Sequence, residues 1–287
     1  MLTGIACTTA GWLVFSFHDA CVKLLVADFA APQVLFMRSL VILCVCLAVG
    51  RSRLLVRAWS SPVRWPLVMR GLVLVGAWLA YYTAARHLQL ALLITIYFAS
   101  PLLVTALAIP ILGERVPWQR WVSLTLGFTG VLIACRPGDL SQIGPIGLAL
   151  FAALMWACAM ILIRKIARAE PSLVQMLLAN TAFLVTCGAA MPWLWLTPDF
   201  PQLALMLLVG GLGAMGQFLI YAGIRRAPAS VVAPLEFTAL LWSFLLGYAI
   251  WRDIPGAPVF LGAGFILLSG LLIVLGEWRG KRHCTTV

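Results

Sequence analysis

Charge is what this chain has least of. Only 10% of its 287 residues are Asp, Glu, Lys or Arg; nine are acidic, and histidine occurs three times. A soluble domain devotes about a quarter of its residues to charge. Too little polar surface is left to wet the outside of a globule, so the outside must face lipid. Catalytic patterns are missing too: there is no GxxxxGKS/T phosphate loop, no HExxH and no GxSxG. An intramembrane enzyme needs a nucleophile–base set or metal ligands on facing helices. The histidines stand far apart at 18, 87 and 283, so the chain reads as no enzyme, with no cofactor. The eight cysteines (Cys7, Cys21, Cys44, Cys46, Cys135, Cys158, Cys187, Cys284) form no CxxC and sit mostly in apolar runs. They read as small buried hydrophobes rather than a metal site or a disulfide frame. No repeated polar ring marks a channel pore.

What is there is apolar: 63% hydrophobic residues and a mean hydropathy of +1.04. A hydrocarbon core of about 30 Å takes about 20 apolar residues per helix. Ten such runs are present, near 3–26, 33–50, 66–86, 89–112, 121–136, 146–167, 172–196, 202–222, 230–250 and 258–277. They are apolar all round, unlike the alternating strands of a barrel, so helices are expected. The first run lacks a basic leader and carries His18, Asp19 and Lys23, which argues against a cleaved signal peptide. Ten spans put both termini on one side. With that side inside, fifteen Lys and Arg fall on inner loops, Arg70 and Arg115 among them, and three (Arg86, Arg136, Arg252) on outer loops. The positive-inside rule then places both termini in the cytoplasm and gives the net charge of +11 a membrane meaning, with no nucleic acid as partner.

The chain also resembles itself. Residues 84–117 run against 222–255, Gly130-Val131-Leu132-Ile133 against Gly270-Leu271-Leu272-Ile273, and Pro32 against Pro171. Two halves of five spans follow, and because five is odd the second enters the membrane from the opposite face. Inverted repeats of this kind build transporters with a substrate site at mid-membrane.

Ser100-Pro101 in the fourth span, Leu112-Gly113-Glu114-Arg115 at its inner end, and Gly127 and Gly130 in the fifth resemble the drug/metabolite transporter superfamily in its EamA-type ten-helix form. The second half departs from that pattern, with Ala239 for the proline and Trp251-Arg252-Asp253 for Gly-Glu-Arg. Within the superfamily the chain looks most like the YddG-type bacterial aromatic amino acid exporters. The resemblance implies an all-α polytopic membrane protein. Its ten transmembrane helices form two inverted five-helix repeats, residues 1–138 and 139–287, around a central cavity. Spans 1, 3, 4, 6, 8 and 9 line that cavity and spans 5 and 10 pack outside it.

Eight of the twelve tryptophans lie near span ends, as interfacial anchors do. Trp12, Trp78, Trp156 and Trp242 lie mid-span, where an indole either packs on another helix or faces the cavity. Trp78, Tyr81 and Tyr82 follow i, i+3, i+4 spacing and share a helix face, and Tyr97 stands one turn from Pro101. In span 8, Met215, Phe218 and Tyr221 accompany Gly210, Gly211, Gly213 and Gly216. The glycines favour close packing, and Met215 suits either core filling or an adaptable wall. Ionisable residues inside a membrane are rare and usually functional. Asp19 and Arg38 lie at matched depth on hairpin neighbours, which suggests a structural ion pair leaving His18 and Lys23 to meet a substrate carboxylate. Glu236 either pairs with Arg164, Arg225 or Arg226 or takes a coupling proton; His18 is a second candidate proton carrier.

The expected function is a secondary transporter that exports aromatic amino acids and related small amphipathic metabolites across the bacterial inner membrane by alternating access. Without an ATP site, a gradient or a coupled ion must drive it. The alternative is an exporter of other amino acids, drugs or metabolites. Partners are the small-molecule substrate and the bilayer, with a monomer as the simplest state.

Overall fold

The computed structural model describes residues 2–112, 118–135, 142–166, 170–224 and 233–284. Among them every regular element is helical: α1 (Leu2–Asp28), α2 (Ala31–Ser60), α3 (Arg64–Ala85), α4 (Leu90–Tyr97), α5 (Ser100–Leu112), α6 (Trp118–Cys135), α7 (Ile143–Ile166), α8 (Ser172–Leu194), α9 (Phe200–Ile224), a 3₁₀ turn (Ala233–Phe237), α10 (Thr238–Trp251) and α11 (Ala257–Cys284). Lipid offers no partner to a free N–H or C=O, so each apolar run must close its own backbone bonds, and a helix does this within one segment. Proline marks several starts: Pro32, Pro66, Pro145, Pro201 and Pro258 fall in the first turns of α2, α3, α7, α9 and α11. There the missing N–H has no intrahelical acceptor to lose.

Among the described residues, seven helical segments are long and apolar enough to cross a membrane. Three shorter apolar ones are Thr125–Ala134, Leu235–Trp251 and Ala257–Leu272. Each of the ten expected runs thus contributes an apolar helical segment among the described residues, and large apolar side chains such as Leu132, Val185, Leu261 and Leu271 lie on the outside, as lipid contact requires. The chain is a polytopic membrane protein.

Three details differ from ten plain rods. First, α2 is too long to span: 30 residues at 1.5 Å each reach about 45 Å. It breaks at Arg51 (φ 53°, ψ −165°), and the following turns bury Leu54 and Ala58 beside Val174 and Leu177 of α8. Second, the fourth span is split. Pro101, second residue of α5, cannot donate to the turn before it and disfavours helix at Ser100. The chain tightens there into an Ala99 N–H to Ile96 C=O bond of 2.9 Å. Third, the ninth span starts as 3₁₀ and turns α-helical at Thr238, the register of Ser100 in the internal comparison. The two breaks meet: the Phe98 and Phe237 rings stack at 5.3 Å with 24° between planes. Arg70, expected on an inner loop, is instead buried within α3.

The main packing pairs are α1 with α9, α3 with α7, α2 with α8 and α6 with α11; α5 also meets α7, and α10 meets α1. Advancing each span by five exchanges these pairs among themselves. Spans 5 and 10, here α6 and α11, pack chiefly on each other. Small residues allow the close approaches, since lipid removes the hydrophobic drive for helices to associate. A Cβ on Gly11 would meet Ile220, one on Gly216 would meet Phe15, and one on Gly130 would lie 2.7 Å from the Gly262 carbonyl oxygen. The described cysteines Cys7, Cys21, Cys44, Cys46, Cys158 and Cys187 are free thiols.

Candidate functional site

Where α1, α2 and α3 meet, the apolar interior is interrupted by a chain of polar groups. His18 is fully buried (0% exposed) and Arg38 nearly so (4%). The Arg38 Nε–H donates to His18 Nε2 at 3.1 Å. A guanidinium only donates, so Nε2 is the bare nitrogen and Nδ1 carries the proton. That Nδ1–H donates to Asp19 Oδ1 at 3.0 Å. The other carboxylate oxygen, Oδ2, accepts from the Tyr81 hydroxyl at 3.1 Å, and the Tyr82 hydroxyl lies 3.4 Å from His18 Nε2. The sequence reading joined Asp19 directly to Arg38 and left His18 free. Instead, a neutral imidazole stands between the two charges and holds both. Its length spans a gap that depth-matching along two helices could not measure.

Arg38 also lies over the Trp78 ring, 4.4 Å from its centroid, a cation–π contact strengthened by the absence of water. From Trp78 the aromatics close a circuit: Trp78 to Tyr81 at 6.2 Å, Tyr81 to Tyr97 at 5.0 Å, Tyr97 to Trp156 at 6.2 Å, and Trp156 back to Trp78 at 6.5 Å. The angles between rings run from 53° to 74°, the inclined geometry that ring quadrupoles favour. Three helices supply the circuit: α3 gives Trp78 and Tyr81, α4 ends on Tyr97, and α7 brings Trp156. Tyr81 is buried, while Trp78, Tyr97 and Trp156 stay partly open. Tyr82, fully buried, packs edge-on to Trp78 at 5.6 Å and braces the circuit from behind.

Other expected residues fall elsewhere. Lys23 does not stand free: its ammonium donates to Asp253 Oδ2 at 3.4 Å and sits 4.5 Å from the Trp251 ring centroid. This ties α1 to the end of α10. Among the described residues, Trp12 meets the site through Phe15, at 6.2 Å, which meets His18 at 5.7 Å. Trp242 makes no ring contact with the circuit, and its indole nitrogen is buried without a described partner. Met215 and Phe218 are 47% and 62% exposed and lie on α9 opposite the Gly213–Gly216 side that faces Arg38 and Phe15. The structure does not bring them to the aromatics. Glu236 lies in the 3₁₀ turn; Arg225, Arg226 and the Arg164 side chain fall outside the described residues. So does the Gly113-Glu114-Arg115 motif. Phe15, Asp253 and the Phe98–Phe237 pair escaped the sequence reading. Phe15 did carry a signal, one turn from Trp12 and from His18.

The EamA-like transporter family model matches residues 2–136 and 144–275, nearly the whole chain. The chain belongs to the EamA-like transporter family. This EamA-like transporter is 27% identical over 282 residues to a protein of Rickettsia prowazekii (strain Madrid E) named S-adenosylmethionine uptake transporter, covering 96% of this chain and 94% of that one. It is 30% identical over 225 residues to a riboflavin transporter of Rhizobium johnstonii, covering 78% of this chain and 72% of that protein. A solved crystal structure shares its fold with a TM-score of 0.68 at 16% identity, covering 97% of each chain. These relatives bear the names of S-adenosylmethionine and riboflavin transporters, not of aromatic amino acid exporters.

Proposed function

We propose that this EamA-like transporter carries small metabolites with a flat aromatic ring joined to a charged or amino-acid-like end, S-adenosylmethionine foremost. The observation that supports this reading is the circuit of Trp78, Tyr81, Tyr97 and Trp156, partly open and set beside the charge-balanced Asp19–His18–Arg38 chain. Rings of this kind hold a planar ring by stacking and edge contact, and a cation by its quadrupole. Adenine and isoalloxazine, the rings of the relatives' named substrates, are both planar. Phosphorylated cargo would want free Arg and Lys, whereas Arg38 is committed to His18 and Trp78.

Export of aromatic amino acids is the second reading. It uses the same rings but needs a cation to meet a carboxylate; Lys23, at 3.4 Å from Asp253, is the group that can exchange partners. In either case residues 1–138 and 139–287 act as two oppositely inserted five-span units in the bacterial inner membrane, with both termini cytoplasmic, and expose the site alternately to each side. The exchange of packing pairs under a five-span shift supports this arrangement. A substrate gradient or a coupled ion drives the cycle.

The test is titration of the purified protein with S-adenosylmethionine, riboflavin, tryptophan and threonine, read by tryptophan fluorescence, followed by counterflow in liposomes. Ring-bearing compounds should bind and threonine should not. Trp78→Ala should weaken ring binding about tenfold, about 1.4 kcal/mol. Equal binding of threonine, or undiminished binding by both Trp78→Ala and Tyr97→Ala, overturns the reading.

A further inference from the structure

The aromatic circuit accounts for a ring but leaves a carboxylate unused. Four described carboxylates have partners: Asp19 with His18 and Tyr81, Glu170 with Arg57, Asp253 with Lys23, and Asp199 with Gln202; Asp28 is exposed at the end of α1. Glu236 is different. It lies in the turn that breaks the ninth span, it is only partly buried, and among the described residues no hydrogen bond or ion pair reaches it. An ionised carboxylate at membrane depth costs several kcal/mol unless something positive meets it.

Its position is held on two sides. Phe237, the next residue, stacks on Phe98 and occupies the space that a Cβ on Gly270 would take. The turn packs against α1 and α11. The Phe98 on which Phe237 stacks directly follows Tyr97, the member of the aromatic circuit that ends α4. A carboxylate thus stands one residue from the contact that joins the break of the ninth span to the end of α4, and among the described residues no cation pairs with it.

We propose that Glu236 is the anionic subsite for the positively charged end of the cargo, an ammonium or a sulfonium, while the circuit holds the ring. This rests on the ring-site reading above and adds the charge that selects among ring-bearing compounds.

The experiment uses pairs of probes that differ by one positive charge: S-adenosylmethionine against its thioether S-adenosylhomocysteine, and tryptamine against the uncharged indole-3-ethanol. Binding to wild type, Glu236→Gln, Glu236→Asp and Trp78→Ala is measured in detergent, with monodispersity as the control for folding. Wild type should prefer the cation of at least one pair by about tenfold or more. Glu236→Gln should erase that preference while keeping affinity for the uncharged partner, and Glu236→Asp should keep the preference. Trp78→Ala should weaken both members of a pair alike. A wild type without cation preference in either pair overturns the subsite, as does a preference that survives in Glu236→Gln. If the preference is unmoved in Glu236→Gln while Trp78→Ala still weakens both members, the subsite fails and the ring site stands. If Glu236→Gln does not fold, Glu236→Met is read in its place: loss of the preference with affinity for the uncharged probe kept supports the subsite, and a preference that survives overturns it.

Discussion

Replacing His18 with leucine tests the buried polar chain most directly. The substitution roughly keeps the volume but removes both ring nitrogens. Arg38 then loses the acceptor at 3.1 Å, and Asp19 loses the donor at 3.0 Å. Hydrogen bonds to charged groups are worth about 1.5–3 kcal/mol each. Removing one partner of a buried charged set costs about 3–5 kcal/mol, because the charge left behind stays unpaired. Arg38 keeps its contact with Trp78 at 4.4 Å, so a loss of about 4 kcal/mol is the central expectation. At about 2–4 °C per kcal/mol, the apparent melting point in detergent should fall by roughly 10 °C. The double substitution His18→Leu with Arg38→Met removes the stranded cation and should recover part of the loss, a coupling of about 1–3 kcal/mol. A shift below about 2 °C in His18→Leu refutes the reasoning. So does a double variant whose loss equals the sum of the two single ones.

Other outcomes follow from the same geometry. Gly262→Val should separate α6 from α11, because the new side chain meets the Gly130 carbonyl and the Ala134 backbone nitrogen, atoms that cannot turn aside. Overpacking of this kind costs about 1–3 kcal/mol, and a fluorescence-based thermal ramp reads it. Gln33→Leu strands the Leu196 C=O and N–H that the buried amide holds at 2.6 and 3.0 Å; about 1–3 kcal/mol should go, seen as faster proteolysis at the α8–α9 connection. Met215→Ala and Phe218→Ala should leave substrate affinity within twofold of wild type in the fluorescence titration, since both lie off the aromatic circuit. Lys23→Gln should release the end of α10 from α1, measured as faster labelling of a cysteine placed at position 255, which is buried, in a variant stripped of reactive thiols.

Much of the fold can be read from residue order, because lipid leaves a twenty-residue apolar run little choice but a helix. Span number and the proximity of Trp78, Tyr81 and Tyr82 depend only on local spacing. The break at residue 98 also had its cause in view, in Pro101, although the reading of 89–112 as one run passed over it. What stayed hidden depends on rotation and distance. Nothing in the α9 sequence says which of its faces meets α1, so Met215 and Phe218 were placed with the site when the glycine side faces inward. Lys23 and Asp253 lie 230 residues apart, and no pattern in either segment pairs them. Matched depth points to a direct Asp19–Arg38 pair, but only the folded arrangement puts the imidazole between them.

The stacked pair Phe98–Phe237 joins the fourth and ninth spans at the point where each is least able to resist bending. Two kinked rods touching at their kinks behave like the crossed blades of shears. Tilting the upper arm of one swings the lower arm of the other. In the alternating-access cycle proposed above, such a contact would gear opening on one membrane face to closing on the opposite face, with the phenyl pair as the pivot.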